Sequence, residues 1–213
     1  EKKASYRVPT EEPGTTLPAC LAALKKAAVA HGSVKALGIA SFGPICLDID
    51  DSQFGEFLNT PKDGWSGVNI VDYFRNRLDC PVALDSDVNA AALAEFRHRN
   101  RAGNIAYVTV GTGVGVGVCL DGKTLKGCLH PELGHMPLAR ASGEAKGVCA
   151  AHGDCVEGLI SGPALAARWQ QAPETLGHDH PVWASTAHYL AQLCMTICLA
   201  YSPYKIVIGG GVV

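Results

Sequence analysis

The sequence predicts an α/β protein. Short apolar runs that read as buried strands, at 34–40, 81–84, 105–110 and 205–208, alternate with stretches of helical periodicity. Glycine-rich turns follow several of these runs. With 213 residues, 47% of them hydrophobic and 18% charged, the chain can bury a full core, as one large domain or two small ones.

Thr15 to Gly32 reads as a first helix, because Leu17, Cys20, Leu21, Leu24 and Ala28 recur at helical spacing and Gly32 offers a left-handed stop. Val34 to Ala40 is a buried strand that runs into the tight loop Ser41-Phe42-Gly43-Pro44. Residues 45–67 are mostly irregular, and a loop of that length inside a compact domain suits a substrate-side flap. Asn69 to Leu78 reads as a helix, Pro81 to Leu84 as a strand, and Asp87 to His98 as an alanine-rich helix, which together imply a largely parallel sheet. After Arg101-Ala102-Gly103 a second part begins, giving lobes at 1–103 and 104–213. Its first elements are a strand Ile105 to Val110 and a strand Gly115 to Leu120 that turns at Asp121-Gly122, a hairpin pattern. An irregular 128–158 segment, a short helix after Pro163, a long helix from about Trp183 to Tyr201 and a strand Lys205 to Ile208 complete it.

A formal net charge of −2 provides no field to gather nucleic acid or an anionic membrane, so the expected partner is a small molecule. No run reaches the roughly 20 apolar residues of a membrane span, and Glu1-Lys2-Lys3-Ala4-Ser5-Tyr6 lacks a signal-peptide core; a cytoplasmic location is expected. Most of the nine cysteines sit singly in apolar segments, which suits reduced core thiols. Both ends of the chain look cut, since it opens without methionine and stops in a glycine run.

Four segments carry chemistry. The glycines around Gly111, Thr112 and Gly113 let backbone N–H groups approach phosphate oxygens, and Gly209, Gly210 and Gly211 repeat the feature at the end of a strand. Either could be a plain turn, but two together at strand ends favour a nucleotide. In Asp85-Ser86-Asp87, Asp87 stands where a strand meets a helix start and suits the base that takes a hydroxyl proton in phosphoryl transfer. It would serve equally as a helix cap, and Asp85 competes for either role. His135, Cys149, His152 and Cys155 supply a Cys₂His₂ set with short spacings, the donor count of a closed, structural zinc site; free surface thiols are the alternative. Glu132 and Glu157 flank this set, and with His135 they offer acceptors to sugar hydroxyls. The basic run 97–101 reads as cations favouring a helix C-terminus.

These motifs stand in order: Gly38-Ile39-Ala40-Ser41-Phe42-Gly43-Pro44, Thr60-Pro61-Lys62-Asp63-Gly64-Trp65, Asp85-Ser86-Asp87-Val88-Asn89, Thr109-Val110-Gly111-Thr112-Gly113, His130-Pro131-Glu132-Leu133-Gly134-His135, Cys155-Val156-Glu157 and Ile208-Gly209-Gly210-Gly211. In that order they resemble the ROK family of sugar kinases, and within it the zinc-containing bacterial-type fructokinases, from about residue 8 to the end. The resemblance implies an actin-like, ribonuclease-H-like fold of two lobes, of the ASKHA type and truncated at both ends. It implies Asp87 as base; Gly43, Pro44, Ser86, Glu132, His135 and Glu157 at the sugar; Gly111, Thr112, Gly113, Gly209, Gly210 and Gly211 at the nucleotide; and His135, Cys149, His152 and Cys155 on structural zinc. It further implies ATP and Mg²⁺ as cofactors, a homodimer, and a hexose substrate, with fructose converted to fructose 6-phosphate favoured over mannose or glucose.

The chain departs from the family in lacking its first phosphate motif, an aspartate followed by a glycine pair and threonine, and in having Ala150-Ala151 where relatives carry a proline and an aromatic. The chain alone is therefore expected to be a poor kinase. A non-catalytic, zinc-stabilised sugar-binding domain and a truncated pseudokinase are the alternative readings.

Overall fold

The structure is a computed structural model that describes residues 2–99, 103–127 and 129–212. In chain order it contains α1 (Pro13–His31), β1 (Leu37–Ser41), α2 (Ile70–Arg75), β2 (Val82–Ser86), α3 (Asp87–His98), β3 (Ile105–Val110), β4 (Val114–Leu120) and β5 (Lys123–Thr124). There follow α4 (Val156–Ile160), α5 (Gly162–Trp169), α6 (Val182–Tyr201) and β6 (Lys205–Gly209), with short 3₁₀ turns at Leu133–His135 and Pro173–Thr175. No helix among the described residues is long and apolar enough to cross a membrane.

Two compact units form, one of residues 1–87 with 126–129 and the other of 88–125 with 130–213. These units differ from lobes at 1–103 and 104–213 in the place of α3 after Asp87 and of residues 126–129. That helix packs with the second unit because Ala92 and Phe96 are buried with Ile105 and Cys119. The Asn89 amide also accepts the Val118 N–H at 3.3 Å and donates to the Leu125 carbonyl at 3.2 Å.

In the first unit β1 and β2 pair in parallel, Leu37 to Val82 through Ser41 to Ser86. The strand expected from Val34 begins at Leu37 because its ladder starts where the Leu37 N–H finds the Pro81 carbonyl, at 2.9 Å. Pro13 opens α1, where its missing N–H costs little, and Leu17, Cys20, Leu21 and Leu24 deliver the apolar stripe read from the sequence to the core. Gly32 does end this helix at positive φ, as expected, though its ψ of 165° lies outside the αL helical well. The Asn69 side chain caps α2, accepting the Asp72 N–H at 2.9 Å. Residues 45–67 hold no helix or strand, in keeping with expectation, yet they are well packed. Phe57 stacks on Phe42 at 4.7 Å and Trp65 meets both rings edge-on, while its indole N–H bonds the Glu11 carbonyl at 2.9 Å.

The parallel pairing of β1 with β2 agrees with the parallel sheet expected from the alternation of strands and helices up to residue 98, and the hairpin expected at 105–120 is likewise present, as antiparallel β3 and β4, in the second unit. The four strands of that unit run in the order β5-β4-β3-β6, and only β3 and β6 are parallel. The cause is the chain of tight turns: Asp121 and Gly122 both take positive φ, 48° and 81°, which reverses β4 into β5 within two residues. Val182, Thr186, Tyr189, Leu193 and Ile197 are the buried residues of α6, and Tyr189, Leu193 and Ile197 pack with the valines of β3 and β4. Helix α4, only five residues long, begins at the end of the stretch expected to be irregular and runs past it. The basic run of 97–101 lies partly outside the described residues; Arg97 and His98 do occupy the last turn of α3.

Candidate active site and metal centre

The carboxyl ends of the parallel strands β1 and β2 collect the sugar-side candidates of the first unit. Gly43 and Pro44 follow β1, and this loop is tied down by the Leu58 N–H on the Pro44 carbonyl at 2.9 Å and the Thr60 hydroxyl on the Gly43 carbonyl at 3.3 Å. Ser86 is buried at the last position of β2, opposite Ser41. Asp87 is the next residue, exposed at the start of α3. Its competitor Asp85 is engaged: one carboxylate oxygen accepts the Ser86 N–H at 2.8 Å and the other meets the Lys126 ammonium at 3.2 Å. Lys126 drew no attention in the sequence, since 41 residues separate it from its partner.

In the second unit the parallel pairing of β3 and β6 places both glycine turns at the same end of the sheet, Thr109 opposite Gly209. The Val212 N–H bonds the Val110 carbonyl at 3.1 Å, and a Cβ on Gly111 would lie 3.8 Å from the Gly211 nitrogen. Gly111 to Gly113 form the turn itself, the Gly111 N–H bonding the Gly113 carbonyl at 2.9 Å, with Thr112 exposed at its tip. The later glycines of the run serve packing. A Cβ on Gly117 would lie 2.0 Å from the Val88 carbonyl oxygen, so this glycine lets the start of α3 rest on β4.

His135, Cys149, His152 and Cys155 converge, their ligand atoms all within 4.8 Å of one another. His135 Nδ1 stands 3.9 Å from Cys149 Sγ and 3.8 Å from Cys155 Sγ, and His152 Nδ1 is 3.7 Å from Cys149 Sγ. Sulfur and nitrogen bound tetrahedrally to zinc at their ordinary distances sit about 3.6 Å apart, so two thiols and two imidazoles in this arrangement fit such an ion. Burial pushes the Cys155 thiol up, with the neighbouring Cys149 acting in the same direction and the Gly158 N–H opposing. The backbone around the set is knotted. The Gly153 N–H reaches the Cys149 carbonyl at 2.8 Å, the Val148 N–H the Gly158 carbonyl at 2.9 Å, and the Val156 N–H the Met136 carbonyl at 3.1 Å. Asp154 braces it from outside, accepting the Gly147 N–H at 2.6 Å and pairing with Arg140 at 3.0 Å.

Glu132 precedes the 3₁₀ turn that carries His135 and is gripped by His130 Nε2 at 2.9 Å. Partial burial acts to raise its carboxyl, but the His130 hydrogen bond and the charges of His130, His135 and His152 outweigh that and hold it below the usual range. Glu157 lies in the first turn of α4, and its Oε2 accepts the Val114 N–H at 3.0 Å. The sequence pointed to both glutamates, though not to these partners. Glu144 went unnoticed altogether: it receives hydrogen bonds from Tyr189 at 2.6 Å and Ser185 at 2.8 Å and pairs with Arg168 at 3.3 Å.

A sequence model of the ROK family matches residues 1–213. A fructokinase of Zymomonas mobilis is 42% identical over 216 residues, covering 98% of this chain and 72% of that protein. Against the first five curated relatives the chain spans from 61% to 72% of their length. Among solved structures, a ROK hexokinase from Thermus thermophilus superposes with a TM-score of 0.75 at 25% identity, over 97% of this chain and 73% of that one. A ROK family glucokinase from Streptomyces griseus, in complex with glucose and AMPPNP, gives 0.73 at 22% identity over 95% of this chain and 73% of that one. These likenesses bear out the expected actin-like, ribonuclease-H-like α/β fold. With the family's sequence pattern running through all 213 residues, the chain belongs to the ROK family.

Proposed function

We propose that the protein carrying this chain is an ATP-dependent hexose kinase that converts fructose to fructose 6-phosphate. The observation that carries this reading is the parallel pairing of β3 with β6, which sets the Gly111–Gly113 turn beside Gly209–Gly211; two adjacent glycine turns at the same end of a sheet suit a nucleotide's phosphates. The 42% identity to the Zymomonas fructokinase supports fructose as the sugar. In the transfer, the sugar's 6-hydroxyl oxygen forms a bond to the γ-phosphorus of ATP as the bridging bond to the β-phosphate breaks. The hydroxyl proton passes to the Asp87 carboxylate and ADP leaves. Asp87 is the base in this reading because it stands exposed at the first position of α3, directly after the carboxyl end of β2.

Gly43, Pro44, Ser86, Glu132, His135 and Glu157 take the sugar in this reading. His135 turns Nδ1 to the two thiols, which leaves Nε2 for a hydroxyl. Gly111, Thr112, Gly113 and Gly209 to Gly211 take the nucleotide, whose phosphates bring Mg²⁺ with them. His135, Cys149, His152 and Cys155 hold one zinc that ties the segment before α4 into place. A homodimer in the cytoplasm belongs to the same reading and rests on the family resemblance and on single cysteines placed in apolar segments.

The test is coupled ADP release with fructose, mannose and glucose by the full-length protein and its Asp87→Asn variant. Turnover highest on fructose and lower by roughly 10²–10⁴ in the variant, with sugar and ATP still bound, is the expected result. Sugar binding without ADP release in the wild type would instead identify a non-catalytic binding domain. A variant that loses sugar affinity with turnover intact would return the base to Asp85.

A further inference from the structure

Glu157 stands between two parts of the second unit. Two residues before it, Cys155 of the metal set caps α4, its sulfur accepting the Gly158 N–H at 3.3 Å. On the other side, Glu157 Oε2 holds the Val114 N–H, and a Cβ on Gly113 would come within 2.6 Å of that same oxygen. The carboxylate is therefore seated directly against the glycine turn. The turn has further contacts with the same neighbourhood. The Gly162 N–H bonds the Gly111 carbonyl at 2.7 Å, and Gly134 approaches the Val114 carbonyl so closely that a Cβ there would stand 1.7 Å from it.

A carboxylate beside a phosphate-binding turn is electrostatically unwelcome, since it repels the anion the turn receives. Such a charge is tolerable where its geometry does something the turn needs. We propose that Glu157 is a positioning residue for nucleotide binding: through the Val114 N–H it fixes the direction in which the Thr112 and Gly113 backbone N–H groups of the turn point, whatever contact it also makes with sugar. This rests on the reading of Gly111–Gly113 as a phosphate cradle. A backbone turn offers its N–H groups to an anion only in a narrow set of orientations, and one hydrogen bond to a charged acceptor at the turn's exit is enough to select among them.

Repulsion and positioning predict opposite signs, which makes the inference testable. Calorimetric titration of the full-length protein with MgADP and with a non-hydrolysable ATP analogue, beside titration with fructose, compares wild type with Glu157→Gln, Glu157→Asp and Glu157→Ala. Positioning requires Glu157→Gln, which keeps an oxygen acceptor and loses the charge, to bind nucleotide within about threefold of wild type or tighter. Glu157→Ala, and Glu157→Asp with its acceptor drawn back by one methylene, are expected to bind it roughly tenfold or more weakly, the scale of one hydrogen bond to a charged group. Unchanged melting temperature and metal content in Glu157→Asp separate this from a folding defect. Nucleotide affinity unchanged or raised in Glu157→Ala and Glu157→Asp while fructose affinity falls would overturn the inference and leave Glu157 a sugar ligand alone. Equal weakening in Gln and Ala would overturn it too, by assigning the effect to the charge. No nucleotide binding by wild type would instead remove the phosphate reading of the turn, and with it the proposed kinase.

Discussion

The Tyr189 hydroxyl donates to the Glu144 carboxylate at 2.6 Å and accepts the Ala141 N–H at 3.0 Å, so one buried side chain of α6 anchors the loop that leads to Cys149. Tyr189→Phe leaves the ring's packing intact but strands a carboxylate and a backbone N–H. The expected loss is about 1–3 kcal/mol, with a melting temperature lower by about 2–4 °C per kcal/mol. Thermal denaturation followed by circular dichroism checks it, and a variant as stable as wild type would show the network to be energetically idle.

The same network sets an acid dependence. Burial acts to raise the Glu144 carboxyl, but hydrogen bonds from Tyr189 and Ser185 and the Arg168 charge outweigh it and hold the group below its ordinary value of 4.5. A carboxyl depressed in the folded state stabilises the fold fully above its unfolded value and loses that contribution as pH falls through the folded one. The melting temperature of wild type is therefore expected to drop more steeply below about pH 5 than that of Glu144→Gln, which starts lower at pH 7. Parallel curves for the two proteins would exclude this carboxylate as the source.

Metal analysis of protein purified without chelators is expected to find one zinc per chain, because the four donor atoms already lie within 4.8 Å of one another. Cys155→Ala removes a buried donor, so it is expected to lose the zinc and open the stretch from Met136 to Cys155 to limited proteolysis. Well under half an equivalent in wild type would sink the assignment.

Two glycines separate packing from backbone freedom. Gly134→Ala would set a methyl group 1.7 Å from the Val114 carbonyl oxygen, a clash that only a backbone shift relieves; an overpacking cost of about 1–3 kcal/mol is expected. Gly14→Ala, early in α1 with nothing within 4 Å, is expected to be neutral or stabilising by up to about 1 kcal/mol. Denaturant midpoints of both variants check the contrast, and similar values would show that the turn before Met136 yields freely.

By itself the sequence determined where the main elements lie and which donors gather. Leu17, Cys20, Leu21 and Leu24 announce the buried stripe of α1 by period alone, and Asp87 to His98 matches α3 end to end. The convergence of the two cysteines and two histidines was legible because three of them fall within seven residues, Cys149 to Cys155, so that local chain geometry nearly suffices to bring them together. Only the tertiary structure decided the pairing of β3 with the distant β6, the capture of Asp85 by Lys126, and the bonds from the Val114 N–H to Glu157 and from Tyr189 to Glu144, the latter two joining residues 43 and 45 positions apart. Periodicity records which face of an element is apolar, whereas a carboxylate's partner depends on which elements stack against each other. Burial sets that stacking first, and each polar side chain then takes the donor that burial has brought within reach.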